Sequence, residues 1–231
     1  MAHEGVIILT GAASGIGRAA AEQFAAKAKR LALVDANDEM LNAVVEQCRT
    51  RSPHVAGFRC DVTDSERVLR TYRQIFEQFG PASVLINCAG IGRFAPFLEI
   101  SPEEWLKILN VNLMGAVYFT RAVLPDMAAA SAGLILNVSS RMAIDPHPDT
   151  TAYAASKAAL LAFSKSLAME VKGRGIKVTV LAPGGTKTNI ATPKHAGYLE
   201  PEAIADAIVY ITESDAKNVW IRDLVILPLS F

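Results

Sequence analysis

Five short and almost uninterrupted apolar runs constrain the fold of this chain more than any other feature. They are "VIILT" (6–10), "LALVD" (31–35), "VLIN" (84–87), "LILNV" (134–138) and "VTVLA" (178–182). Runs without strict polar alternation are typical of strands that are buried on both faces. A weaker run at 55–60 and a last one at 223–229 bring the expected number of strands to about seven.

Segments of helical length separate these strands. We expect helices at 15–28, 37–48, 65–79, 102–129, 150–172 and 201–212, with 102–129 as one long or broken helix. Strands that alternate with helices predict a parallel sheet with helices on both faces, which is a doubly wound, three-layer α/β fold. A chain of 231 residues is expected to form a single domain, residues 1–231.

Composition excludes several classes of protein. The chain is 51% apolar and 20% charged with a net charge of zero, which argues against disorder and against a nucleic-acid partner. No apolar stretch approaches 18 residues, so we expect no membrane-spanning helix. The cysteines Cys48, Cys60 and Cys88 have no CxxC spacing, which predicts a reducing, cytoplasmic setting without disulfides or a metal site.

A glycine-rich turn, "TGAASGIG" (10–17), follows the first expected strand. Glycines at a helix N-terminus allow the backbone to approach a pyrophosphate, and the free N–H groups and the dipole favour anions. An ordinary strand-to-helix turn is the alternative. Ligands of such sheets bind at the carboxyl ends of the strands, which favours nucleotide binding here.

Asp35 ends the second expected strand. A carboxylate at this place accepts hydrogen bonds from the adenosine ribose and repels a 2′-phosphate, which favours NAD over NADP. The alternative is that Asp35 caps the helix that begins near Asn37.

Tyr153 and Lys157 are four positions apart near the start of an expected helix, so they share a face. An ammonium beside a phenol favours the phenolate, and the helix N-terminus acts in the same direction, so we expect a lowered tyrosine pKa. This spacing alone also fits a pair of surface residues.

Eight motifs occur together and in order at the expected strand ends. They are "TGxxxGxG" (10–17), Asp35, "CDVTD" (60–64), "NCAG" (87–90), "NVNL" (110–113), "NVSS" (137–140), "YAASK" (153–157) and "PGGTKT" (183–188). In this combination the chain resembles the short-chain dehydrogenase/reductase family over nearly its whole length. The resemblance implies a Rossmann-type sheet, NAD(P)-dependent oxidation of a secondary alcohol or reduction of a ketone, and a homodimer or homotetramer formed through residues 102–129 and 150–172.

The resemblance also implies a set of residues that bind the cofactor. The pyrophosphate would lie on the first glycine turn, the adenine and adenosine beside the third and fourth strands, and the nicotinamide end beside Pro183. The residues are Gly11, Ser14, Gly15, Ile16, Gly17, Asp35, Asp61, Val62, Asn87, Ala89, Gly90, Tyr153, Lys157, Pro183, Gly184, Thr186 and Thr188. Cys88 stands where the family has a second asparagine, and we expect a local packing change there.

Four residues match the catalytic group of the family. Tyr153 would be the general acid or base, Lys157 would depress its pKa and hold the nicotinamide ribose, and Asn112 would organise a proton-relay water. Ser140 precedes Tyr153 by thirteen residues and would bind the substrate oxygen, whereas Ser139 would not.

The sequence says least about which residues contact the substrate. Arg93, Arg141, Met142 and Ile190 are candidate substrate contacts, with Ile144 and Tyr198 as further apolar walls. We expect His147 and Asp149 to face solvent, with Asp149 and Thr150 capping the helix, and the segment after Thr188 to form a short lid. An NADP-dependent carbonyl reductase and a nucleotide-sensing protein without turnover are the alternatives to an NAD-dependent enzyme.

Overall fold

A seven-stranded parallel sheet is the centre of the computed structural model, which describes residues 5–27, 29–190, 197–215 and 219–229. The strands are β1 (Val6–Thr10), β2 (Leu31–Asp35), β3 (Val55–Arg59), β4 (Ala82–Asn87), β5 (Gly133–Val138), β6 (Ile176–Pro183) and β7 (Asp223–Ile226). Their order in the sheet is β3-β2-β1-β4-β5-β6-β7, and each neighbouring pair is parallel. The predicted fold class is confirmed.

Helices cover both faces of the sheet. They are α1 (Gly15–Ala26), α2 (Asp38–Arg49), α3 (Ser65–Phe79), α4 (Pro102–Leu109), α5 (Gly115–Ala130), α6 (Thr151–Val171) and α7 (Pro201–Asp215). The first core contains buried residues of α1, α2 and α7, and the second contains those of α3, α5 and α6. Within the described ranges, no helix is long and apolar enough to cross a membrane.

Strand β1 shows why the apolar runs lack alternation. Ile7 and Leu9 belong to the first core, and Val6 and Ile8 belong to the second. Successive side chains of a strand point to opposite faces, so a strand between two helical layers needs apolar residues at every position.

Of the two forms expected for residues 102–129, one long helix or a broken one, the structure has the broken one. A π turn, Asn110–Met114, separates α4 from α5 and carries Asn112. Thr150, the residue before α6, makes no side-chain capping hydrogen bond, because its hydroxyl donates instead to the carbonyl of His147 at 2.6 Å. Asp149 has a left-handed backbone (φ 63°), so the expected capping by Asp149 and Thr150 is wrong.

Candidate active site

A cavity of about 890 Å³ opens at the carboxyl edge of the sheet. It extends from the glycine turn after β1 to Tyr153 on α6 and the loop after β6. The predicted site residues line it, with the exception of Asn87, Arg93, Asn112 and Ile144.

The glycine turn after β1 needs its glycines for two reasons. Gly11 and Gly15 have left-handed backbones (φ 69° and 52°), which side chains disfavour. Gly17 packs so closely that a Cβ there would lie 2.1 Å from the carbonyl oxygen of Gly11. The turn therefore brings the first turn of α1 directly against the end of β1.

The N-terminus of α1 fits the pyrophosphate that the sequence predicts there. Its N-cap residue, Ser14, makes no side-chain capping hydrogen bond, and the first turn carries no acidic residue. Helix N-terminal amides that face a cavity without a capping group are suited to an anion.

Asp35 lies between the glycine turn and α2. Its Oδ2 accepts from the Ala13 amide at 3.0 Å, and its Oδ1 accepts from the Asn37 amide at 2.9 Å. The helix cap itself is Asn37, whose side chain accepts from the Met40 amide. The carboxylate thus lines the cavity and ties the turn in place, and it does not replace the cap of α2.

Asn87 is buried behind the cavity wall, and its expected contact with the adenosine stays a prediction. Its Nδ2 donates to Asn137 Oδ1 at 2.8 Å, and Asn137 Nδ2 donates to Ser164 Oγ at 2.8 Å. This buried chain of hydrogen bonds joins β4, β5 and α6. The following loop is held by Thr10, whose Oγ1 accepts from the amides of Cys88 and Ala89 at 3.1 and 3.2 Å.

Asn112 is also buried behind the cavity, and its side chain joins two elements of the site. Its Oδ1 accepts from the Ile91 amide at 2.8 Å, while its Nδ2 donates to the Ile91 carbonyl and to Ser156 Oγ, both at 2.9 Å. Ser156 Oγ donates in turn to the Tyr153 carbonyl at 2.7 Å. The π turn therefore fixes the loop after β4 against the start of α6.

The two serines after β5 have different surroundings. Ser139 Oγ donates to the Lys157 backbone carbonyl at 3.0 Å and is occupied in packing. Ser140 lies in the cavity, where its hydroxyl accepts from the Met142 amide at 3.2 Å and lowers the pKa of Tyr153. This difference agrees with the choice of Ser140 over Ser139.

The pKa of Tyr153 is raised in this structure, whereas the sequence predicted a lowered one. Burial raises the pKa of Tyr153 to about 12, Ser140 opposes this shift, and Cys88 adds a smaller increase. Burial lowers the pKa of Lys157 to about 8. Lys157 Nζ donates to the Val138 carbonyl at 2.9 Å and lies 5.9 Å from the centre of the phenol ring.

The candidate substrate contacts divide into two groups. Arg141, Met142, Ile190 and Tyr198 line the cavity, whereas Ile144 is exposed. Arg93 lies off the cavity, half-exposed and paired with Glu104 at 3.2 Å. His147 is exposed but lines the cavity mouth, where Arg141 donates to its ring, so the solvent assignment is incomplete.

Two cavity residues were not expected from the sequence. Phe94 packs edge-on against Tyr153, with ring centroids 5.5 Å apart. Gly92 leaves room for this packing, since a Cβ there would lie 2.8 Å from Ile190 Cγ2 and 3.3 Å from Tyr153 Cδ2. Their only sequence signal is their position just after "NCAG". The lid prediction falls partly on residues 191–196, which lie outside the described residues.

Comparison with known proteins gives a consistent result. A family model described as "short chain dehydrogenase" matches residues 5–198. The chain is 34% identical to a D-threitol dehydrogenase of Mycolicibacterium smegmatis over 96% of this chain and 90% of that protein.

Two solved structures share the whole architecture. An alcohol dehydrogenase from the archaeon Thermococcus sibiricus, complexed with 5-hydroxy-NADP, has a TM-score of 0.89 and 27% identity over 98% of this chain and 97% of that chain. A 3-ketoacyl-(acyl-carrier-protein) reductase from Brucella melitensis, complexed with NADH, has a TM-score of 0.89 and 26% identity over 97% of both chains.

Proposed function

The chain belongs to the short chain dehydrogenase family of NAD(P)-dependent oxidoreductases, and on this premise we propose that it transfers a hydride between NAD and a secondary alcohol or its ketone. The observation that carries the proposal is that Ser140, Tyr153 and Lys157 line one end of a cavity that begins at the glycine turn. The relatives' names add support, because a D-threitol dehydrogenase and a ketoacyl reductase act on such groups.

The cofactor would be held along the edge of the sheet. The α1 N-terminus and its glycines would bind the pyrophosphate, Asp61 and Val62 the adenine, and the loop after β6 the nicotinamide end. Asp35 supports NAD, because its carboxylate would bind the ribose hydroxyls and repel a 2′-phosphate. The neighbouring structures hold both kinds of cofactor, so this choice depends on Asp35.

The chain's own residues would orient the substrate and move one proton. When bound, the nicotinamide supplies the hydride acceptor for oxidation or the donor for reduction. Tyr153 would take the proton from the alcohol oxygen in oxidation and return it in reduction. Ser140 would donate a hydrogen bond to that oxygen and stabilise the charge that develops on it.

Lys157 and Asn112 would support this proton transfer. The raised pKa of Tyr153 describes a neutral phenol in the cofactor-free chain. We propose that the charged groups of the bound cofactor and Lys157 together bring that pKa toward neutrality. Asn112 would hold the β4 loop and α6 in the geometry that a proton path requires.

Replacement of Tyr153 by phenylalanine tests the proton path. Tyr153→Phe keeps the ring and its packing on Phe94 but removes the only acid–base oxygen we assign. We expect kcat to fall at least about a thousandfold, near the range for a lost general acid–base group, with NAD affinity changed less than about threefold. Steady-state kinetics on secondary alcohols and fluorescence titration with NADH measure the two effects, and near-normal turnover would refute the assignment.

Titration with both cofactors separates NAD from NADP. We expect NADH to bind at least about tenfold more tightly than NADPH, and Asp35→Ala to remove most of that preference. Tighter NADPH binding in the wild type would favour the carbonyl reductase alternative. Tight cofactor binding without turnover of any alcohol or ketone would favour the nucleotide-sensing alternative.

Three broader expectations stay part of the proposal. We propose that residues 1–231 form one domain, that copies of the chain associate through α4, α5 and α6, and that the enzyme is cytoplasmic. The described cysteines are free thiols, which suits a reducing compartment.

A further inference from the structure

Ser156 is a fully buried polar residue of α6 that follows Tyr153 by one helical turn. Its hydroxyl hydrogen goes to the Tyr153 carbonyl at 2.7 Å, because a carbonyl oxygen only accepts. Its oxygen in turn accepts from Asn112 Nδ2 at 2.9 Å. The hydroxyl is therefore both donor and acceptor, and it connects the π turn with the turn of α6 that carries Tyr153.

The orientation of the Asn112 amide depends on this serine. Ser156 has no second hydrogen to donate, so Asn112 has to present its NH2 group to it and turn its oxygen toward Ile91. The contacts agree, since Asn112 Oδ1 accepts from the Ile91 amide at 2.8 Å and Nδ2 donates to the Ile91 carbonyl at 2.9 Å. A change at Ser156 therefore acts both on the loop after β4 and on α6.

The start of α6 has no side-chain cap to hold it. Thr150 makes no capping hydrogen bond, and the first turn carries no acidic residue. Tyr153 is the third residue of the helix, so it lies in the turn that frays when a cap is missing. The Ser156 hydroxyl bonds a carbonyl of that turn, and Asn112 holds the hydroxyl from the neighbouring π turn. These two hydrogen bonds anchor the helix start to the rest of the fold.

Resting on the proposed function, we propose that Ser156 is a positioning residue, which holds the backbone of Tyr153 so that the phenol meets the substrate oxygen. Ser156 does not line the cavity, so its effect on the reaction passes through Tyr153 and not through contact with a ligand. A displacement of about 1 Å in a reacting group costs about a hundredfold in rate. Loss of the anchor therefore reduces turnover more than it reduces binding.

Ser156→Ala tests this role, because it removes one oxygen atom and introduces a good helix former. With NAD and the best secondary alcohol of a panel, we expect kcat to fall at least about tenfold, while KM and NADH affinity change less than about threefold. The solvent deuterium isotope effect on kcat should rise, because a displaced phenol slows the proton transfer. Steady-state kinetics in H2O and D2O and fluorescence titration with NADH measure these effects.

Ser164→Ala is the matched control. Ser164 is also buried in α6, where its hydroxyl donates to the Leu160 carbonyl at 2.6 Å and accepts from Asn137 Nδ2 at 2.8 Å. It thus repeats the hydrogen-bond pattern of Ser156, but it lies about 16 Å along the helix from Tyr153. Thermal melts should show similar losses of stability in the two variants, while kcat stays near the wild type in Ser164→Ala. An equal loss of kcat in both variants, or a normal kcat in Ser156→Ala, overturns the proposal.

A double variant tests whether Ser156 acts together with Asn112. Residues that act through one hydrogen-bonded path have effects that do not add. In an Asn112→Ala background, we expect Ser156→Ala to lower kcat at most about twofold further. Losses that multiply in full would mean that Ser156 acts apart from Asn112, and they would overturn the proposed path.

A spectroscopic measurement separates this inference from the proposed reaction. In protein labelled with 3-fluorotyrosine, the fluorine resonance of Tyr153 is identified by its absence from Tyr153→Phe. We expect this resonance to shift or broaden in Ser156→Ala and to stay in place in Ser164→Ala. If no alcohol or ketone is turned over, the proposed function fails, and the resonance still shows whether Ser156 positions Tyr153. An unchanged resonance in Ser156→Ala overturns the inference, whatever the kinetics show.

Discussion

Lys157 is the residue whose burial has the clearest consequence for stability. Burial lowers its pKa from the ordinary 10.5 to about 8, so between these values the unfolded chain holds more protons than the folded one. Stability contributed through Lys157 therefore rises with pH across this window. Lys157→Met removes the buried amine, so we expect the variant to be more stable than the wild type. This gain in the free energy of unfolding should be about 2 kcal/mol larger at pH 7.5 than at pH 9.5.

Urea unfolding of both proteins at the two pH values measures this difference. Lys165→Met is the control, because it removes an exposed lysine from the same helix and should leave the pH dependence as in the wild type. Tyr153 is present in both proteins, so its partial ionisation in the unfolded chain at pH 9.5 cancels in the comparison. A stability difference that does not change with pH would contradict the buried position of Lys157.

The positions of the site residues were more predictable from the sequence than the surroundings of their side chains. The spacing of Ser140, Tyr153 and Lys157 identifies residues that the fold does bring together. The rise in the pKa of Tyr153 was not predictable, because it comes from burial by distant parts of the chain, Phe94 among them. The burial of Asn87 was not predictable for the same reason, since its partner, Asn137, lies on the neighbouring strand.

Among the elements, the glycine turn and α1 act as one unit. A Cβ on Gly17 would meet the backbone oxygen of Gly11 at 2.1 Å, so Gly17→Ala has to displace the helix from the turn. Such overpacking typically costs about 1–3 kcal/mol, and the displaced amides would bind the pyrophosphate less well. We expect NADH affinity to fall at least about tenfold, as measured by fluorescence titration.

Gly173→Ala is the control for this substitution, because nothing lies within 4 Å of the position its Cβ would take. It should leave both stability and NADH affinity close to the wild type. Gly17→Ala with unchanged affinity would mean that the turn is not the pyrophosphate site.

The sequence pattern predicted which helices and strands form, but it did not predict the irregularities inside them. The strands and most helices end within a few residues of the predicted positions, because their apolar runs and caps are local signals. The π turn between α4 and α5 has no such signal. It coincides with Asn112, whose side chain bonds Ile91 and Ser156, and those contacts exist only once β4 and α6 have packed together.

At the scale of the whole molecule, the proposed association between copies of the chain can be tested at α6. Ala162 is exposed on this helix, so an arginine there is tolerated by the single chain but disrupts a closely packed contact between copies. We expect the wild type to sediment as a dimer or tetramer and Ala162→Arg to shift it toward the monomer. Ala43→Arg, at an exposed alanine of α2, should leave the assembly unchanged, and a monomeric wild type would refute the proposal.

The order of strands in the sheet also determines when during synthesis the protein can be completed. One edge of β1 pairs with β2, but its other edge stays unpaired until β4 is made. Strand β4 leaves the ribosome only after α1, α2 and α3. Until then the nascent chain presents an open strand edge, which is the kind of surface that chaperones shield. The glycine turn is made early, whereas Tyr153 and the loop after β6 are made late. The cofactor can therefore stabilise finished molecules and gives little help to unfinished ones.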